Sequence, residues 1–170
     1  MVDQSLQSAD MISKIVDKYS NMIYRLAISN VKTKSNADDI YQDVFLRYIK
    51  YVRDGGTFDC EEHVKAWFIR VTINCCKSFN TSSWFRRTVA LDESVNKSYE
   101  ENNDTKIDFY NALMKLPQKY RSVIHLFYYE QLSVEQIGNI LNVKNSTVRT
   151  QLTRARVMLK DILKGEYLDG

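Results

Sequence analysis

Near its carboxy end the chain carries a row of cations, hydroxyls and amides: Lys144, Arg149, Thr150, Gln151, Arg154, Arg156 and Lys160. Arg and Lys can bind phosphate oxygens, and Arg, Thr and Gln can hydrogen-bond the base edges of a duplex. That chemistry is recognition of nucleic acid, not bond making. Interleaved with these residues are Val148, Leu152, Ala155 and Leu159, whose four-three-four spacing puts an apolar stripe on one helix face. A solvated amphipathic helix in any bundle would show as much, so the preceding elements decide the reading.

The stretch before it, LSVEQIGNIL, is a second short helix with apolar Leu132, Ile137, Ile140 and Leu141 and polar Glu135, Gln136 and Asn139. Ser133 and Gln136 form a capping box, in which each side chain satisfies an orphan amide of the first turn. Asn142 tolerates the left-handed conformation that ends a helix. Val143 would plug the corner. Two helices around a tight turn, the second one basic, are a helix-turn-helix that sets one helix in the DNA major groove.

Covalent chemistry finds no comparable constellation. Cys60, Cys75 and Cys76 are odd in number, two of them adjacent, and form no disulfide framework. There is no C-x-x-C, and His63 and His125 are the only histidines. Reduced cysteines that pack as small apolar residues are expected. No Gly-rich phosphate loop follows a strand and no H-E-x-x-H occurs. No catalytic residue, metal ligand or cofactor is expected, and the protein is read as a non-enzyme. The segment VDQSLQSAD is too polar for a signal peptide, and no apolar run approaches the roughly 20 residues that span a bilayer. A cytoplasmic location follows as an expectation.

The 170 residues include one Pro and five Gly, and β-branched residues never alternate over a useful length. An all-α protein is expected. Net charge is only +3 but is unevenly spread. Residues 1–90 and 106–170 each carry an excess of Lys and Arg. Between them, residues 91–105 hold Lys97 alone against Asp92, Glu93, Glu100, Glu101 and Asp104.

Helical spacing predicts a first helix over about Asp10–Val31, broken by KTKSN. Ser35 and Asp38 make a capping box for a second helix that runs to about Val52 and stops at Asp54–Gly56. Asp59 and Glu62 start a third, with Val64, Trp67, Phe68 and Val71 apolar, fading near Asn80. Residues 88–105 lack an apolar pattern and read as a flexible acidic linker. The pattern returns from Ile107, and Pro117 opens the helix QKYRSVIHLFYYEQ. The expected architecture is two small helical domains, 1–87 and 106–170, joined by the linker 88–105, the second containing the helix-turn-helix.

Two further faces invite partners. Asp38, Asp39, Gln42, Asp43 and Arg47 share much of one surface of the second helix. Three carboxylates crowded there repel one another, and a basic partner would relieve them; a solvated helix start is the bland alternative. In the third helix Arg70, Asn74 and Lys77 fall three or four apart as a polar stripe suited to a single strand. Phe79, Trp84, Phe85, Arg86 and Arg87 follow, and could stack bases or simply close the lobe.

The order of these pieces resembles the extracytoplasmic-function sigma factors, the small two-domain branch of the bacterial sigma-70 family. Three segments carry the resemblance: NADDIYQDVFLRYIKY at Asn36–Tyr51, KAWFIRVTINCCKSF at Lys65–Phe79 and LPQKYRSVIHLFYYEQLSVEQIGNILNVKNSTVRTQLTRARVML at Leu116–Leu159. It covers nearly the whole chain, from about Asp10 to Leu163. It implies a region 2-like domain that docks on the β′ coiled coil of core RNA polymerase through Asp39, Gln42, Asp43, Phe45 and Arg47. It implies that Arg70, Asn74 and Lys77 hold the minus-ten element, with Asn74 at the pocket of a flipped base. It implies a region 4-like domain that reads the minus-thirty-five duplex through Lys144, Ser146, Arg149, Thr150, Gln151, Thr153 and Arg154. The implied partners are core polymerase (β′ and β subunits), promoter DNA as duplex and single strand, and an anti-sigma factor. Two positions depart from the family pattern. Gln151 stands where many relatives are basic. Lys144 stands where many have Ser or Thr, leaving Asn145 or Ser146 to cap the helix and shift its start by about a residue.

A repressor or activator that acts without polymerase docking is the rival within DNA binding. A helical adaptor that binds only proteins is another. An enzyme built on Cys75, Cys76 and His63 is the third.

Overall fold

The computed structural model describes residues 4–81 and 104–168, with side-chain surroundings for 8–81 and 109–165. All regular elements among the described residues are helical. They fall into two compact units, divided between Arg87 and Thr88.

The first unit is three helices, α1 (Gln4–Val31), α2 (Lys34–Arg53) and α3 (Glu61–Thr81). Each buries one stripe. Tyr19, Met22, Ile23, Leu26, Ala27 and Val31 of α1 face Ala37, Ile40, Val44, Phe45 and Tyr48 of α2 and Phe68, Ile69, Thr72 and Ile73 of α3. Phe68 is the hub. Its ring centroid lies 5.2 Å from Tyr19, 5.6 Å from Phe45, 5.0 Å from Tyr48 and 5.3 Å from Trp67. Such tilted and edge-on pairs add to the burial of area itself. Thr72, buried among them, donates from Oγ1 to the Phe68 carbonyl at 2.7 Å. Polar ties across the bundle accompany the packing, among them the Lys18–Glu61 ion pair and the Asn80 amide donating to the Asn30 carbonyl at 3.2 Å.

The helix ends differ from the sequence reading in detail. α1 begins six residues earlier than Asp10. It ends on Lys32 in the left-handed conformation, φ 68°, without a glycine. Thr33, not Ser35, caps α2: its Oγ1 accepts from the Asn36 amide at 3.3 Å. Both residue types suit the role, and the left-handed Lys32 selects between them. Gly55, φ 92°, follows the C-cap Asp54. At Gly56 a Cβ would lie 2.4 Å from the Tyr51 ring, so only glycine lets the loop cross that face. α3 starts at Glu61, two residues past Asp59, which instead lies 3.6 Å from His63 Nδ1.

The second unit comprises α4 (Asp104–Met114), α5 (Gln118–Ile124), a π-helical turn at His125–Tyr129, α6 (Val134–Leu141) and α7 (Asn145–Leu168). α4 starts three residues before Ile107; the rest of the expected linker lies outside the described residues. Pro117 takes the N-cap of α5. Arg121 is 4% exposed, and its Nη1 donates to the carbonyls of Met114 (3.1 Å) and Leu116 (3.3 Å). A buried cation thus satisfies orphan carbonyls where α4 ends. The expected single helix QKYRSVIHLFYYEQ widens into the π turn after Ile124, closed by the Glu130 amide on the His125 carbonyl at 3.2 Å. His125 stacks on Tyr129 at 5.1 Å, while Tyr128 and Tyr129 stay half exposed.

The α6–α7 corner follows its sequence closely. Ser133 Oγ accepts from the Gln136 amide at 3.1 Å and Gln136 Oε1 accepts from the Ser133 amide at 2.9 Å, a complete capping box. Asn142 is left-handed, φ 56° and ψ 48°. The Val143 amide returns to the Gly138 carbonyl at 3.0 Å. A Cβ at Gly138 would meet the Val143 carbonyl oxygen at 2.9 Å and Asn145 Oδ1 at 2.8 Å, so the turn closes on a bare backbone. The Lys144 carbonyl accepts from the Val148 amide at 3.1 Å. Lys144 therefore stands at the N-cap position and α7 begins directly after it, so the expected shift in its start does not occur.

Two stability predictions follow from this packing. Phe68→Ala should cost about 3–5 kcal/mol, read by denaturant unfolding with tryptophan fluorescence, since Trp67 packs against Phe68. Gly138→Ala should destabilise the second unit by about 1–3 kcal/mol through forced displacement of the turn, read as an earlier loss of helical circular dichroism on heating.

Candidate nucleic-acid interface

On α7 the buried stripe of Val148, Leu152, Ala155 and Leu159 packs toward α5 and α6. That orientation turns Ser146, Arg149, Thr150, Thr153 and Arg154 outward together, with exposed Lys144 just ahead of them. Gln151 is half-buried at the flank of this face. Thr150 Oγ1 donates to the Ser146 carbonyl at 2.9 Å and Thr153 Oγ1 to the Arg149 carbonyl at 3.0 Å. Their hydroxyl protons are taken by the helix itself, so each threonine offers outward an acceptor and a methyl group. The Arg154 side chain, and after it the Lys119 cation, draws the Tyr120 phenol of α5 below its ordinary pKa, against some opposing burial.

Arg156 lies apart from this set. Its Nε donates to Tyr128 Oη at 2.8 Å, and its guanidinium sits 5.6 Å from the ring centroids of both Phe127 and Tyr128. With Lys160 and Lys164 it rims an open groove of about 550 Å³ floored by Phe109, Leu159 and Leu163. Sequence reasoning missed this groove, because the π turn that supplies Tyr128 leaves no periodicity signal.

In the first unit, Arg70, Asn74 and Lys77 are all exposed on one side of α3. Phe79 is half-buried, and Trp84 to Arg87 lie outside the described residues. On α2, Asp39, Gln42 and Arg47 are exposed and Asp43 is half-buried. Phe45 does not join them. It is 7% exposed, 4.9 Å from Tyr41 and 5.6 Å from Phe68, so it supports the face from the core rather than forming it. Its neighbour Leu46, 65% exposed, stands among the acidic and amide side chains instead.

The crowded carboxylates are partly relieved from within. Asp43 Oδ2 accepts from Arg47 Nε at 3.1 Å and from Cys75 Sγ of α3 at 3.3 Å. Burial first, and then the Asp43 hydrogen bond and charge, push the Cys75 thiol up to about 12. Because its folded pKa lies above the ordinary thiol value, the stability tied to this proton is complete below that value and is lost as pH rises toward 12. Cys76 is fully buried and Cys60 exposed. Among the described residues no group of His, Cys, Asp and Glu is arranged to hold a metal ion, and no helix is long and apolar enough to cross a membrane. At pH 8 iodoacetamide should therefore label Cys60 and leave Cys75 and Cys76 unmodified until the fold is lost, as peptide mass mapping with and without denaturant would show.

Both units have counterparts among known proteins. Residues 15–86 match the family Sigma-70 region 2, and residues 106–159 match Sigma-70, region 4. The ECF RNA polymerase sigma factor SigW of Bacillus subtilis is 30% identical, with 91% of this chain and 90% of that protein aligned. The RNA polymerase sigma factor SigV of the same organism is 29% identical over 99% of both. Among solved structures, the sigma factor RpoE in its complex with the anti-sigma factor NepR from Bartonella quintana matches with a TM-score of 0.69 at 21% identity. That match covers 89% of this chain and 96% of RpoE. Sigma factors direct RNA polymerase to promoters by binding, without catalysing a reaction themselves. With both family regions in order along the chain and a relative at this identity aligned over nearly its full length, the protein belongs to the extracytoplasmic-function branch of the sigma-70 family.

Proposed function

We propose that the two units divide promoter recognition between them. The second unit would read the minus-thirty-five duplex with α7: Arg149 and Arg154 at base edges and phosphates, Thr150 and Thr153 as acceptors and methyl contacts, and Ser146 and Gln151 at the sides. Lys144 would hold a phosphate near the helix start. The first unit would dock on the β′ coiled coil through Asp39, Gln42, Asp43, Leu46 and Arg47, an acidic face with one apolar anchor. Arg70 and Lys77 would follow the backbone of the melted minus-ten strand while Asn74 pairs with an exposed base. The observation that carries the reading is α7, whose packed stripe leaves a continuous set of DNA-compatible side chains exposed.

Core RNA polymerase, through β′ and β, and promoter DNA are the partners of this reading, and the cytoplasm is its site of action. An anti-sigma factor is a further partner, supported by RpoE having been solved with NepR. The cation-rimmed apolar groove beside Arg156 offers a place for such a partner or for the β subunit. The repressor alternative is disfavoured by the match to region 2 over residues 15–86.

Run-off transcription with purified core polymerase and sheared bacterial DNA tests the proposal. Discrete transcripts should appear only with the protein present. Asp43→Arg should abolish core binding and transcription. Asn74→Asp should abolish transcription with core binding intact. Arg149→Ala should weaken duplex binding by about 1–3 kcal/mol. Absence of transcripts together with absence of comigration with core polymerase would refute the reading.

A further inference from the structure

The two hydrogen bonds to Asp43 end on the same oxygen. Arg47 Nε donates to Oδ2 from one turn along α2, and Cys75 Sγ donates to Oδ2 from α3. The aspartate side chain nevertheless keeps 47% of its surface exposed. A carboxylate on a helix surface ordinarily samples several rotamers, and a partner that needs one of them bears the entropy of selecting it. Here two donors from two helices select it beforehand. The donors also differ in kind. Arg47 is itself exposed and adjusts with solvent. Cys75 is buried and fixed by the packing of α3. A thiol is a weak donor, but it is neutral, so it orients Asp43 without cancelling the negative charge that a basic partner would seek.

We propose that Cys75 is a positioning residue for polymerase docking: with Arg47 it fixes Oδ2 of Asp43, so that Oδ1 is presented to a cation on the partner surface. The inference rests on the docking role given to Asp43 above. The high thiol pKa keeps the donor protonated throughout the physiological range, so the arrangement is insensitive to pH there. Cys75 directly follows Asn74 on α3. The contact therefore also joins the face assigned to polymerase with the face assigned to the melted strand.

A double-mutant cycle with the full-length protein and core polymerase tests this, with affinity read by anisotropy of a labelled chain. Cys75→Val removes the donor and Cys75→Ser keeps one. Each is made in the unaltered chain and in Asp43→Asn. Cys75→Val should weaken core binding by about five- to tenfold, the size of one ordinary hydrogen bond, as suits a weak thiol donor. Cys75→Ser should stay within about twofold, since hydroxyl and thiol both donate to a carboxylate. In the Asp43→Asn background the Val and Ser forms should bind alike, because the carboxylate they would orient is gone. Duplex binding by the second unit and the thermal midpoint serve as controls. Cys75→Ala, which cannot overpack, is carried through the same cycle in case the Val form unfolds. Equal binding of Val, Ala and unaltered chains would overturn the positioning role, as would an equal loss in the Asp43→Asn background. If Asp43→Asn alone leaves core binding unchanged, the docking assignment itself fails, and that outcome is separate from the other two.

Discussion

Burial of Val148, Leu152, Ala155 and Leu159 fixes the rotation of α7 about its own axis, and most of what the second unit can do follows from that angle. A helix offers each residue one direction. Once four residues are committed inward, Ser146, Arg149, Thr150, Thr153 and Arg154 can point only outward. The capping box at Ser133 and the bare backbone at Gly138 then set where α7 begins, and hence which turn of it is foremost. The chemistry of recognition is thus delegated to side chains that take no part in the core, while its precision comes from side chains that never leave it.

The first unit solves a related problem with aromatic mass. The rings around Phe68 seat three helices against one another at fixed rotations, which turns one stripe of α2 and one of α3 outward. The α2 stripe gathers carboxylates whose mutual repulsion the fold tolerates and partly offsets through Arg47 and Cys75. Like charges left together on an ordered surface are a standing attraction for a basic partner.

What could be read from the sequence was whatever depends on local pattern. The capping box, the left-handed Asn142, the α7 stripe and the spacing of Arg70, Asn74 and Lys77 are all matters of a few adjacent residues and one helical period. What could not be read depends on which competing local solution the tertiary structure selects. Thr33 and Ser35 are equivalent caps until Lys32 turns left-handed. Phe45 and Leu46 are equivalent until the ring cluster claims one of them. The π turn adds a residue to one turn, and nothing in the residue types of HLFYY distinguishes it from a continued α-helix. The link from Asp43 to Cys75 joins residues 32 positions apart, beyond the reach of any periodic argument.

The buried guanidinium of Arg121 separates two electrostatic regimes within one small unit. The cations of α7 stand in solvent, where mobile ions screen them over about 8–10 Å and where phosphate binding weakens steeply as salt is added. Arg121 meets its carbonyl acceptors at Met114 and Leu116 out of solvent contact, where added ions do not reach. Ionic strength therefore acts as a selective solvent variable for this unit: it tunes the grip on a polyanion over orders of magnitude while the scaffold that aims the grip stays the same.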